Sequence, residues 1–265
     1  MSEARPVIDD LVDEGRELDA LVAALDDKEW STPTPAPGWT VAHQIAHLAW
    51  TDRTAVVALT DPDAFAVEVE KAAAAPATFV DEQASKGAQL APTELLNRWR
   101  CGRVRLAAEL RLLPAGRRFP WYGPPMSGPS MATARLMETW AHGQDVADAL
   151  GVRRAPTARL RHVAWIGVRA RNYAYFVRGL QPPPGPFRVE LEAPDGGELW
   201  TYGPDDAAQR VTGPALDFCL LVTQRVHRDD VPAVRAEGPD AEPWLEIAQA
   251  FAGPAGAGRP RGARP

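Results

Sequence analysis

"PAPGWTVAHQIAHLAW", Pro35 to Trp50, is the stretch on which the fold turns. Its prolines and glycine end whatever precedes them, because proline lacks a backbone donor and glycine favours turns. Thr40 then reads as an N-cap, and Val41, Ile45 and Leu48 share one stripe at helical spacing, which predicts a helix to about Leu59. Neighbouring segments carry the same period. Ile8, Leu11, Leu18, Leu21, Val22 and Leu25 predict a first helix over 7–25. Leu95, Trp99, Leu106, Leu110 and Leu113 predict a third over 92–113. Ser130 is expected to cap a fourth helix over 131–150, which Gly151 can close in a left-handed conformation. A fifth helical pattern covers 157–179. Residues 62–90, alanine-rich and broken by Pro76, read as weak short helices or an ordered excursion, and "FPWYGPPMSGPS", Phe119 to Ser130, as a structured aromatic loop.

Beyond "GLQPPPGP", Gly179 to Pro186, the period changes. "FRVELEA" and "ELWTY" alternate apolar and polar residues around "PDGG", which predicts a hairpin. "GPALDFCLLVTQRV" and "AEPWLEIAQAFA" return to helical spacing. The expected organisation is a helical domain over 1–181, a smaller α+β domain over 182–252, and a disordered tail over 253–265 rich in glycine and proline.

Composition narrows the function. Of 265 residues, 45% are apolar and 24% charged, enough for sizeable cores. The net charge of −6 and the lack of a basic, aromatic-interleaved block argue against nucleic-acid partners. The opening thirty residues are acidic and amphipathic, and no run of eighteen apolar residues occurs, so neither an export signal nor a membrane span is expected. Cys101 and Cys219 lie far apart without C-x-x-C spacing, which fits a reducing, cytoplasmic setting and two buried, inert thiols.

The chemistry lies in "METWAHGQDVADALG", Met137 to Gly151. Glu138 and His142 are four apart on the fourth helix and can offer an oxygen and a nitrogen to one ion. Alone, such a pair is equally the mark of a solvated helix face. Leu136, Trp140, Val146 and Leu150 surround this one with bulk that would bury it, and a buried carboxylate needs a partner. The second helix supplies His43 and His47 at the same spacing. Inward side chains from facing helices are how bundles build metal sites, and one histidine more makes a three-ligand site with open positions.

With those residues in view, the sequence resembles the DinB/YfiT-like superfamily, and within it the mycothiol-dependent maleylpyruvate isomerase branch. There a "PGW" turn leads into a helix whose histidine comes eight residues after the tryptophan, which is His47 here. The resemblance covers nearly the whole chain; "WYGPPMS" and "FAGPAGAGR" look like an actinobacterial subgroup. It implies a mainly α fold: a DinB-like up-down bundle of four or five helices, then a small α+β sterol-carrier-like domain. It also implies a divalent metal on His47, Glu138 and His142, with zinc fitting the donor set best and iron, nickel or manganese compatible. His43 and Asp145 are expected behind these ligands, and Trp121, Tyr122 and Met126 around a substrate or thiol pocket. Arg225 is the candidate for a substrate or thiol carboxylate, with Arg210 and Arg228 as alternatives. The implied function is activation of a small thiol such as mycothiol for isomerisation, addition or S-transfer on a small electrophile, by a monomer or homodimer. The alternatives are a non-heme iron oxygenase-like protein and a non-catalytic, metal-stabilised module that binds a small ligand.

Overall fold

The structure, a computed structural model, describes residues 4–194 and 196–263. Asp195 of the expected hairpin turn and the last two residues of the tail lie outside the described residues. Contacts divide the chain into two compact units, Met1–Arg153 and Arg154–Pro265. The division falls earlier than the expected residue 182. Helix α7, Leu160–Arg169, packs on α9, Ala215–Val222, so the fifth helical pattern belongs to the second unit.

In the first unit, α1 (Ala4–Val22), α2 (Val41–Thr60), α5 (Pro92–Leu112) and α6 (Gly128–Ala149) form a bundle in which α1 and α2 each pack on both α5 and α6. Leu18, Ile45, Leu48, Leu95, Trp99 and Val146 meet in its core. α2 also buries Gln44, His47, Thr51 and Asp52, and buried polar groups must find partners. Residues 62–90 are more regular than expected: α3 (Pro62–Ala74) and α4 (Phe79–Ala88) are both helices. The Asp61 carboxylate accepts from the Ala64 amide and Pro62 sits in the first turn, while Phe65, Phe79 and Ala84 are buried. α6 begins three residues before the expected start, because Ser127 rather than Ser130 caps it and Pro129 fits its first turn. Its end agrees, with Gly151 at φ +66° just beyond. Ahead of it, β1 (Arg118–Phe119) and β2 (Met126–Ser127) pair across the aromatic loop.

In the second unit the fifth helical pattern is split into α7 and α8 (Arg171–Phe176) at Ala170. The expected hairpin is β3 (Phe187–Glu192) against β4 (Leu199–Tyr202), Val189 opposite Tyr202. β5 (Gln209–Pro214) runs parallel to β3, and β6 (Arg235–Glu237) antiparallel to β5, giving the mixed order β4-β3-β5-β6. Phe187, Val189 and Leu191 alternate into the core with Val211, where α9 and α10 (Ala241–Ile247) cover them. Within the tail expected to be disordered, residues of 253–263 have defined partners. Tyr173 donates to the Gly253 carbonyl, the Gly262 amide donates to Asp230 at 2.7 Å, and Arg259 is buried.

Gly203 ends β4 at φ +82°, and a Cβ there would lie 2.0 Å from the Phe187 carbonyl oxygen. Gly203→Ala is expected to lose at least about 2 kcal/mol, from the left-handed conformation and the backbone clash together. Urea unfolding checks this.

Candidate metal centre

His47 comes from the middle of α2, and Glu138 and His142 from successive turns of α6, so the packing of those two helices assembles the site. Among the described residues, these three form a group whose ligand atoms all lie within 4.8 Å of one another. One oxygen, Glu138 Oε2, stands 3.1 Å from His47 Nε2 and 3.2 Å from His142 Nε2, and the two imidazole centroids are 4.5 Å apart. Two ligands each held about 2.0–2.1 Å from a tetrahedral ion are separated by roughly 3.3 Å, close to both spacings.

The protonation states also suit a cation. Burial, and then repulsion from His142, push the His47 imidazole down to about 4, so it is neutral at pH 7. Burial works against ionisation of Glu138, but the hydrogen bonds and charges of His142 and His47 outweigh it and hold the carboxyl well below its usual range. A neutral imidazole beside an ionised carboxylate is the state in which these groups ligate metals.

Gln44, one turn before His47 and fully buried, sets the remaining ring. Thr34 Oγ1 donates to the Trp39 carbonyl at 2.9 Å, and Gln44 Nε2 donates to Thr34 Oγ1 at 2.8 Å. That leaves Gln44 Oε1 to accept from His142 Nδ1 at 2.5 Å. With Nδ1 held by Gln44, His142 presents Nε2 to Glu138 Oε2, the edge of the ring that would ligate a cation held between them. His47 Nδ1 is buried with no hydrogen-bond partner, so that ring is engaged through Nε2 alone. Gln44→Leu is expected to lower divalent-metal affinity about 10–100-fold while the chain still folds, read by competition with a chromogenic chelator.

Trp39 covers the site. Its ring stacks on His142 (centroids 5.9 Å apart, planes 18° apart) and lies 5.5 Å from His47, and its Nε1 donates to Asp81 of α4 at 3.0 Å. Behind the triad, Arg135 Nε donates to Asp52 Oδ1 at 2.9 Å in an ion pair almost wholly removed from solvent.

The other expected residues have these partners. His43 is a capping residue, not a partner of the ligands: its Nδ1 accepts from the Thr40 amide at 3.3 Å and lies 2.9 Å from the Thr40 hydroxyl. Asp145 is buried, but both ring nitrogens of His142 are engaged by Gln44 and Glu138, so the role assigned to it falls to Gln44. Trp121 stacks on Phe65 and Tyr122 packs on Phe65 and Phe79; Phe79 meets Trp50, which meets His47, so two rings separate Tyr122 from His47 along this series. Met126 pairs with Phe119 in the short β1–β2 ribbon. In the second unit Arg225 donates to the Thr223 carbonyl, Arg228 is bidentate to Glu242, and Arg210 pairs with Glu190. Cys219 is buried and its thiol is pushed well up by burial, as expected of an inert cysteine, whereas Cys101 is exposed. No helix among the described residues is long and apolar enough to cross a membrane.

The sequence profile described as the mycothiol maleylpyruvate isomerase N-terminal domain matches residues 11–147, which include the whole triad. The chain belongs to that family. A second profile, described as wyosine base formation, matches residues 183–234. Crystal structures of the mycothiol-dependent maleylpyruvate isomerase and of a histidine-to-alanine mutant of it superpose with a TM-score of 0.59 over 90% of this chain and 95% of theirs. At 17% identity that likeness shows the fold: a helical bundle followed by a small mixed four-stranded sheet with helices. Two Mycobacterium tuberculosis relatives, the uncharacterized proteins MT0041 and Rv0036c, are each 58% identical over 98% of this chain and 100% of their own length.

Proposed function

We propose that this member of the mycothiol maleylpyruvate isomerase N-terminal domain family is a divalent-metal-dependent enzyme that activates a small thiol. The observation that carries this is the convergence of His47 Nε2, Glu138 Oε2 and His142 Nε2, with the His47 imidazole held neutral and the Glu138 carboxyl held ionised. A divalent cation held by these residues would supply Lewis acidity, lowering the pKa of a thiol from its usual value of about 8.5 into the neutral range. Two nitrogens and one carboxylate oxygen suit zinc and also accept iron or nickel.

The protein's own part is to hold and to exclude. Glu138 contributes the negative charge, Gln44 keeps the proton of His142 on Nδ1, and Trp39 shields the imidazoles from water. A thiolate formed here can add to an electrophilic carbon. Bond rotation followed by elimination restores the thiol and isomerises the substrate, whereas loss of a leaving group completes S-transfer. The substrate is accordingly a small electrophile, and the thiol is of the mycothiol type.

The test is spectroscopic. Cobalt(II)-loaded protein titrated with a cysteinyl thiol such as mycothiol should gain a sulfur-to-cobalt charge-transfer band that the corresponding alcohol does not produce. A visible spectrum untouched by saturating thiol would overturn the thiol reading and leave the metal site standing.

A further inference from the structure

The second unit contains a cleft of about 390 Å³, within the range of small-molecule sites, that the triad chemistry does not use. Trp165, Phe187, Tyr202 and Trp244 give it aromatic walls, Arg169 and Arg171 line it, and no acidic side chain does. In a chain of net charge −6, that is a local concentration of positive charge.

Both guanidiniums lie over aromatic faces. Arg171 sits 4.2 Å from the Phe187 ring centroid, and Arg169 sits 5.8 Å from that of Trp165. Among the described residues neither makes an ion pair. Arg171 is partly buried, yet it donates only to neutral oxygens, Asn172 Oδ1 and the Gly185 carbonyl, each at 3.0 Å. Burial lowers its pKa, and the charges of Tyr175 and Asp240 oppose this only in part. A partly desolvated cation without a contacting ion-pair partner is costly, and an anionic ligand would compensate it. Trp165 is 42% exposed and lines the cleft.

We propose that this cleft is a second small-molecule site and that it takes a planar aromatic carboxylate, its ring against Trp165 and Tyr202 and its carboxylate on Arg171 and Arg169. The carboxylate matches the guanidinium fork, and the ring extends the stacking already present. The site is independent of the metal reading, since every residue that forms it lies in the second unit.

Isothermal titration of the full chain with naphthoate, its neutral amide naphthamide and inorganic phosphate tests the proposal. Naphthoate should bind. Naphthamide and phosphate should each bind at least roughly tenfold more weakly, the size of one charge-assisted hydrogen-bond pair. Arg171→Met should lose about the same factor, and Arg171→Lys should recover part of it. Trp165→Ala, a change at an exposed position, should weaken naphthoate without altering the fold, which keeps the test decisive if Arg171→Met misfolds. His47→Ala should bind naphthoate like the wild type, so failure of the metal reading and failure of this one are distinguishable. No naphthoate binding, equal binding of naphthamide or phosphate, or unchanged affinity in both Trp165→Ala and Arg171→Met would overturn it.

Discussion

Replacing Glu138 with glutamine lowers the affinity for divalent metal by at least about 100-fold, beyond the 10–100-fold range of residues that only support a ligand. The expectation follows from charge more than shape. Glutamine keeps an oxygen near His47 and His142 but removes the only formal negative charge in the triad, which its neighbours hold in the ionised state. His47→Ala takes away a nitrogen delivered by a different helix and should lose as much. Both changes leave the apolar core untouched, so the folded chain remains available for titration. Thermal scans give a second readout. Excess zinc should raise the melting temperature of the wild type through linkage and leave that of Glu138→Gln unmoved. An affinity within threefold of wild type in Glu138→Gln would show that the carboxylate is not a ligand.

The second large effect concerns the buried ion pair. Asp52→Leu leaves the Arg135 guanidinium in the interior without its anion, and a loss of about 3–5 kcal/mol is expected. The double variant Asp52→Leu with Arg135→Met should recover most of that loss and can exceed the wild type. The reason is that burial raises the pKa of Asp52 more than Arg135 lowers it, so the pair does not repay its own desolvation. The sign has a pH consequence. A carboxyl whose folded pKa is raised disfavours the fold once ionised, so the pair's cost is absent below its unfolded pKa and grows as the pH rises through the folded one. Arg135 Nη2, buried without a partner, adds to that cost. Arg135 lies one turn before Glu138, and its charge helps keep His47 neutral, which is a reason to retain an expensive pair beside the triad. A double variant no more stable than Asp52→Leu alone would sink this reasoning.

The helices and the Glu138–His142 pair were legible in the sequence because each rests on a spacing, whereas His47 was singled out over His43 by the family resemblance. The apolar stripe of α2 and the four-residue separation of Glu138 and His142 survive folding unchanged. The residues around the triad were not legible, because their roles arise from contacts between elements distant in sequence. Gln44 reads as an ordinary helix polar residue until α6 brings His142 to it across 98 positions. Trp39 serves as a landmark of the turn, and only the fold lays its ring over the imidazoles. His43 illustrates the converse: the spacing made it a candidate ligand, and a local cap three residues back claimed its nitrogen. The unit boundary was misplaced for a similar reason. A proline-rich stretch marks a change of period, but the packing of α7 on α9 decides where the second unit begins.

The central claim is that His47, Glu138 and His142 hold a divalent ion, and metal analysis of protein purified without a polyhistidine tag tests it most directly. The account predicts about one equivalent of a divalent transition metal per wild-type chain and little in His47→Ala prepared alongside it. Equal and negligible metal in both, persisting after incubation with zinc, iron(II) or nickel and removal of excess, would contradict it.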